Sequence, residues 1–95
     1  MYGNYGWIIT KNVQDGCAVA AHGPAYEAIP PDVVDRAGIP FRLLDGACNV
    51  VYEGQFSGPV EPVALQAPLA EFEEALEHGC VQIQYRQESG EWLSI

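Results

Sequence analysis

The chain has 95 residues, of which 48% are hydrophobic and 11% aromatic. This composition predicts one globular domain over residues 1–95 and excludes an intrinsically disordered chain. Thirteen Asp and Glu against four Lys and Arg give a net charge of −9, which argues against direct binding to nucleic acid or to an anionic membrane, because both attract cationic surfaces.

The N-terminal half of the sequence predicts two hairpins separated by a short helix. Apolar alternation predicts four strands there, over residues 5–10, 17–21, 41–44 and 48–56. Asp15-Gly16 and Asp45-Gly46 are common hairpin-turn dipeptides, so they join these strands in two pairs. Between the pairs, residues 30–38 predict a helix of one to two turns, because prolines begin it and a glycine follows it.

The C-terminal half predicts a loop, a longer helix and two more strands. Residues 57–66 contain two prolines and predict the loop. Residues 68–78 predict the main helix, since its apolar residues fall on one face: Leu69, Phe72, Ala75 and Leu76. The last two strands are predicted over residues 81–86 and 91–95, and the alternation in the first of them predicts that Val81, Ile83 and Tyr85 share one face.

The resulting element order is β-β-α-β-β-α-β-β, which is typical of an α+β domain. We therefore predict a bent antiparallel sheet of five to six strands with two short helices packed against it. Tyr5 and Trp7 are predicted to face its core, and Trp92 is the better candidate for an exposed aromatic side chain. The sequence contains neither a signal-peptide pattern nor an apolar run of about 18–20 residues, so we expect a cytoplasmic protein.

The cysteines and histidines do not match a known metal or redox motif. Cys17, Cys48 and Cys80 are widely spaced, and we predict that they are small buried hydrophobic residues. The sequence lacks C-x-x-C and H-E-x-x-H, so no metal or other cofactor is expected. His78 is interpreted as a cation at the end of the main helix, where it complements the helix dipole.

No motif in the sequence indicates a reaction. Ser57 stands in a turn rather than in a nucleophile elbow, and no glycine-rich loop has phosphate-binding spacing. We therefore expect a protein that is not an enzyme. A small enzyme or metal protein that uses His22, His78 and the three cysteines is an alternative that only long-range folding could create.

The main predicted helix carries the candidate partner-binding residues. It contains four glutamates and neither Lys nor Arg: Glu71, Glu73, Glu74 and Glu77. One interpretation is a solvated face that keeps the protein soluble. The other is a binding site, because carboxylates on successive helical turns lie roughly 5–6 Å apart, close to the phosphate spacing of one DNA strand. Asp32 and Asp35, on the short predicted helix, would extend this negative field.

Three parts of the sequence resemble small proteins of bacterial mobile elements: residues 5–11, residues 41–46 together with 52–54, and residues 79–86. As a small acidic chain without catalytic motifs, the protein resembles the anti-CRISPR proteins carried by phages. The resemblance implies a DNA-mimic inhibitor that binds the basic DNA-binding surface of a CRISPR effector complex, with type I favoured, and blocks target DNA in the host cytoplasm.

A different class of function is also compatible with the charge. The alternative is a small acidic regulatory or toxin-neutralising module that binds one basic protein partner. In both cases the partner is a protein surface rather than nucleic acid or a membrane. The oligomeric state stays open, with the monomer favoured.

Overall fold

The computed structural model describes residues 5–23, 34, 38–58 and 61–95. Within them the chain forms six strands and three short helical segments, in the order β1 (Gly6–Asn12), β2 (Cys17–Gly23), β3 (Ile39–Asp45), β4 (Val50–Ser57), α1 (Pro62–Leu65), α2 (Ala67–Glu71), α3 (Glu73–Glu77), β5 (Cys80–Arg86) and β6 (Trp92–Ser94). All neighbouring strands are antiparallel, and their order across the sheet is β2-β1-β4-β3-β5-β6. The predicted α+β fold with an antiparallel sheet is confirmed.

Both predicted hairpin turns are present, and the second is stabilised by an aspartate side chain. Asp45 accepts hydrogen bonds on its carboxylate from the backbone N–H groups of Asn49 and Ala47, each at 2.9 Å. Such Asx-type bonds stabilise turns because they replace backbone partners. The bond from Asn49 is the main reason that the pKa of Asp45 lies below its ordinary value of 3.8. In the first turn, Gly16 has φ +71°, a conformation that glycine adopts without strain.

One face of the sheet carries the hydrophobic core. Its buried side chains alternate along the strands with residues of the other face, and they are Trp7, Ile9, Phe41, Leu43, Tyr52, Phe56, Ile83 and Tyr85. The hydroxyl of Tyr85 donates to the carbonyl of Leu65 at 2.6 Å, so the buried phenol is satisfied by α1. The prediction that Trp7 faces the core is confirmed, and Tyr5 packs against that core while half-buried.

The predicted face of β5 is wrong at one residue, Val81. The β3–β5 register pairs Leu44 with Gln82 and Asp45 with Cys80, which leaves Val81 as the extra residue of a β-bulge. A bulge interrupts the alternation of a strand. Val81 is therefore 68% exposed, whereas Ile83 and Tyr85 are buried as predicted.

The continuous main helix predicted over residues 68–78 is wrong. The backbone of Phe72 is extended, with φ −84° and ψ 100°, and divides the segment into α2 and α3. Its ring packs edge-on against Trp7 and Tyr52, with centroids 5.9 and 5.0 Å apart. We attribute the break to this packing, because burial of an aromatic side chain outweighs one or two helical hydrogen bonds. The break also rotates α3, so Leu76 is 67% exposed instead of buried.

The loop predicted over residues 57–66 is wrong in part, and the short helix predicted over residues 30–38 is largely untested. The segment predicted as a loop over residues 57–66 contains α1, which begins with proline in its first turn and buries Leu65. Proline is compatible with a helix start as well as with a loop, so the sequence pattern alone did not distinguish a helix from a loop here. Of the short helix predicted over residues 30–38, the structure describes only Val34 and Gly38. The backbone N–H of Gly38 donates to the carbonyl of Val34 at 2.8 Å.

The cysteine prediction is correct only for Cys80, which is buried. Cys17 and Cys48 are exposed, because one begins an edge strand beside a turn and the other lies in the turn between β3 and β4. Among the helices of the described residues, none is long and apolar enough to cross a bilayer.

Candidate partner-binding site

Glu71 is held by the sheet. Its carboxylate accepts a hydrogen bond from the indole N–H of Trp7 at 2.9 Å and another from the hydroxyl of Tyr5. Hydrogen bonds to a carboxylate are stronger than those between neutral groups. Glu71 therefore links the end of α2 to β1. Its carboxylate, which was predicted from the sequence to bind a partner, is engaged in hydrogen bonds within the protein.

The other three glutamates of the predicted site lie together on α3 and are exposed. Glu73 and Glu74 stand in its first turn and Glu77 at its end. Residues 61–79 contain neither Lys nor Arg, so neither of these side chains is present in the segment to neutralise the glutamates. Burial raises the pKa of the Tyr52 hydroxyl, and the negative charge of Glu74 raises it further.

The four glutamates do not form the row expected of one continuous helix. Phe72 separates Glu71, which is turned to β1, from the three residues of α3. The phosphate-like spacing inferred from helical pitch therefore applies within α3 alone. Asp32 and Asp35, which were predicted to extend the field, lie outside the described residues.

The described cations lie on the sheet face turned away from the core, here called the outer face. Lys11 and Arg42 both stand opposite Glu53 in the register of β4, and Glu53 alternates with the core-facing Tyr52. Gln84 stands opposite Arg42 in the register of β3 and β5, so it lies on the same face as Arg42. Arg86 lies two positions further along β5 and therefore on that face too, where it is paired with Trp92 of β6. The Lys and Arg residues that the structure describes therefore share the face opposite α1–α3.

Trp92 is half-buried on this outer face and is less exposed than the sequence suggested. The guanidinium carbon of Arg42 lies 4.3 Å from the centroid of its ring, a cation–π contact. Arg42 also donates from Nε to the side-chain oxygen of Gln84 at 2.8 Å. Arg42 is therefore engaged in contacts within the protein. In the same way, Glu71 is engaged by Trp7 on the core side of the sheet.

Leu76 is a residue of the candidate site that sequence reasoning missed. Helical periodicity put it on the buried face, yet it is 67% exposed between Glu73 and Glu77 along α3. An aliphatic side chain among carboxylates is a suitable anchor for a protein interface, because burial of apolar area slows dissociation. No local sequence signal identifies it, since its exposure follows from the break at Phe72.

The cysteines and histidines form no metal-binding cluster in the part of the chain that the structure describes. There, no group of three or more His, Cys, Asp or Glu residues could hold a metal ion. Burial raises the pKa of the Cys80 thiol to about 11, so little nucleophilic thiolate forms there at neutral pH. His78 ends α3 and packs edge-on against Tyr52, with ring centroids 5.6 Å apart.

No protein-family model, curated protein or solved structure matches this chain. The arrangement of its own charges is therefore the observation that bears most directly on its function. Negative side chains are exposed on α3 above the core, and the described cations lie on the outer face of the sheet.

Proposed function

We propose that this chain is an acidic inhibitor of the anti-CRISPR kind. It binds the basic DNA-binding surface of a CRISPR effector complex, with type I favoured, in the cytoplasm of the host bacterium, and it keeps target DNA out. The separation of charge supports this proposal: Glu73, Glu74 and Glu77 are exposed on α3, residues 61–79 contain neither Lys nor Arg, and the described cations share the outer face.

Inhibition of this kind requires occupancy and no reaction. A domain of charge −9 is attracted to the basic channel in which an effector holds DNA, so the two meet quickly at low ionic strength. The exposed Leu76 adds apolar contact next to the glutamates, which lowers the dissociation rate. No metal, cofactor or catalytic residue takes part.

The test is a gel-shift titration of a purified type I effector on target DNA, with and without this protein. We expect the shifted band to disappear at near-stoichiometric inhibitor. The double variant Glu73→Lys/Glu77→Lys is expected to lose at least about tenfold in inhibitory potency, because like charges then face each other. Circular dichroism checks that the variant remains folded.

A matched control separates the α3 site from net charge. Glu88→Lys/Glu91→Lys makes the same change in net charge in the turn between β5 and β6. If both double variants lose potency equally, the effect comes from overall charge and α3 is not the contact surface. If the wild-type protein binds neither type I nor other effectors, the proposal is wrong.

The break at Phe72 favours a second candidate, an acidic module that neutralises one basic protein such as a toxin. A phosphate-like row needs one continuous helix, whereas three glutamates around an exposed Leu76 resemble an ordinary protein interface. Calorimetric titration against a basic protein encoded beside this chain distinguishes the two candidates. Tight binding that the Glu73→Lys/Glu77→Lys variant loses, without effector binding by the wild type, would favour the second.

A further inference from the structure

The large apolar side chains that are exposed among the described residues all follow residue 60. They are Val63, Leu76, Val81, Leu93 and Ile95. Single exposed apolar side chains are common on protein surfaces, whereas several of them on one side of a molecule mark an interaction surface. The positions of these residues relative to one another therefore bear on what the chain binds.

Two of these side chains lie on the core face of the edge strand β6. Leu93 stands opposite Tyr85 in the register of β5 and β6, and the N–H of Ile95 donates to the carbonyl of Ile83 at 3.3 Å. Residues opposite each other in an antiparallel pair share a face, so Leu93 and Ile95 lie on the same face as the buried Tyr85 and Ile83. Leu93 is nevertheless 52% exposed, because the core does not extend over this edge.

Leu76 and Val81 lie on the two sides of the turn that joins α3 to β5. Gly79 has φ +72°, and its N–H donates to the carbonyl of Leu76 at 3.1 Å, which is typical of a helix end. Both α2 and α3 contact β5. Leu76 and Val81 at the start of β5, and Leu93 and Ile95 beside its later residues, thus border the same strand, and we call these four residues the apolar strip.

The charges beside the apolar strip are negative. Glu73 and Glu77 flank Leu76 along α3, and residues 61–79 contain neither Lys nor Arg. The described Lys and Arg residues lie on the outer face of the sheet, which is the opposite side from α3. The strip is therefore an apolar surface next to carboxylates.

We propose that the apolar strip and the glutamates of α3 together bind one segment of a partner protein, an amphipathic segment whose apolar side chains stand beside Lys and Arg. Charge complementarity selects this occupant, because the glutamates require cations and the strip requires apolar side chains. The proposal rests on the proposed function in taking the partner to be a basic protein. It adds that charge is half of the recognition, since a channel that offered cations alone would leave the strip exposed to water.

A second copy of this chain does not have the required charge. Contact between two strips would bring the α3 glutamates of both copies together, and each copy has a net charge of −9. The residues that adjoin the longest stretch outside the described ranges also lie away from the strip. Gly23 ends β2 at the other edge of the sheet, and a Cβ at Gly38 would be 2.9 Å from the Cβ of Gln55, which alternates with the core residue Phe56 and so belongs to the outer face.

Fluorescence anisotropy with two labelled synthetic peptides tests the proposal. One peptide is an amphipathic helix of Leu and Lys, and the other has the same lysines with Gln in place of every Leu. We expect the Leu/Lys peptide to bind at least about tenfold more tightly. At about 1 M salt, where the Debye length is about 3 Å, we expect the Gln/Lys peptide to lose its binding and the Leu/Lys peptide to retain part of it. Equal affinities for the two peptides would overturn the proposal.

Substitutions in the strip locate the binding. Val81→Ser/Leu93→Ser is expected to weaken binding of the Leu/Lys peptide at least about tenfold and to leave the Gln/Lys peptide unchanged, whereas Glu73→Gln/Glu77→Gln is expected to weaken both. Val13→Ser, at a half-buried position between β1 and β2, is the control and should change neither. Unchanged binding of the Leu/Lys peptide by Val81→Ser/Leu93→Ser would contradict the proposal. Circular dichroism of each variant checks that it is folded.

Two further measurements separate the strip from the proposed function. If the wild type binds no effector while the peptide results hold, the inhibitory function is wrong and the strip stands. If Val81→Ser/Leu93→Ser retains both peptide binding and full potency in the effector gel shift, the strip is wrong and the inhibitory function stands. Sedimentation equilibrium tests the second copy, because self-association of the wild type that Val81→Ser/Leu93→Ser abolishes would overturn the assignment of the strip to a basic partner.

Discussion

The central strands of the sheet and the helical segments above them are stabilised in different ways. The strands β1, β4, β3 and β5 have a hydrogen-bonded neighbour on each side, and core side chains such as Phe41, Leu43 and Phe56 are at most 1% exposed. The segments α1, α2 and α3 have four or five residues each, which is too short for a stable isolated helix. A few side-chain contacts to the sheet therefore hold them.

The difference implies that the sheet contributes most of the stability, whereas the exposed surface of α3 is available for binding. The sheet uses its apolar face for the core, whereas α3 contributes Ala75 to that core and exposes Leu76 and its glutamates. Exposed charges on such a segment add little to the free energy of unfolding. The surface of α3 can therefore be adapted to a partner without loss of the fold, and four predictions test that division.

The largest expected effect is at the centre of the sheet. Phe41→Ala removes a ring that contacts Tyr85, with centroids 5.7 Å apart, and is expected to lower the free energy of unfolding by about 3–5 kcal/mol. Urea denaturation measures this change. Leu93→Ala, at a position 52% exposed, is the control and is expected to cost less than about 1 kcal/mol. Similar losses in the two variants would contradict the proposed role of the central core.

An intermediate effect is expected where the two regions are joined. Trp7→Phe removes the hydrogen bond between indole and carboxylate, Glu71→Gln weakens it, and each variant is expected to cost about 1–2 kcal/mol. The double variant should cost less than the sum, with a coupling of about 0.5–1.5 kcal/mol. Hydrogen exchange should show that α2 and α3 lose protection before β4 does. Additive effects would show that the bond does not link the layers.

A smaller, pH-dependent effect is expected in the turn between β3 and β4. The folded pKa of Asp45 lies below 3.8, so its ionised form stabilises the fold above that pH, and this stabilisation is lost as the pH falls through the folded pKa. Asp45→Asn is therefore expected to be less stable at neutral pH and to lose less stability on acidification. Thermal denaturation at several pH values, with Glu88→Gln as a control for charge loss, measures the difference. Parallel pH profiles for Asp45→Asn and the wild type would contradict this prediction.

The smallest effect is expected on the exposed surface of α3. Leu76→Ser and Glu73→Gln should each change the free energy of unfolding by no more than about 0.5 kcal/mol, because neither side chain is buried. Ala75→Ser, at the adjoining position that is fully buried, is the matched control and should cost more. If Leu76→Ser destabilises as much as Ala75→Ser, α3 is part of the core and its surface is not free to bind.

The sequence by itself determined the sheet. Alternation along Tyr5, Trp7 and Ile9 and the dipeptides Asp15-Gly16 and Asp45-Gly46 are local signals, and they predicted the strands and both hairpins. The negative charge of the candidate surface could also be predicted from the sequence, because composition determines the net charge without reference to the fold.

Only the tertiary structure decided which charges and apolar groups are free. Glu71 meets its donor Trp7 across 64 positions of the sequence, and Arg42 meets Trp92 through the pairing of three strands. The break at Phe72, which exposes Leu76, depends on rings contributed by β1 and β4. Local patterns cannot encode these contacts, because burial of a side chain between distant strands outweighs the weak preference of a few residues for a regular helix.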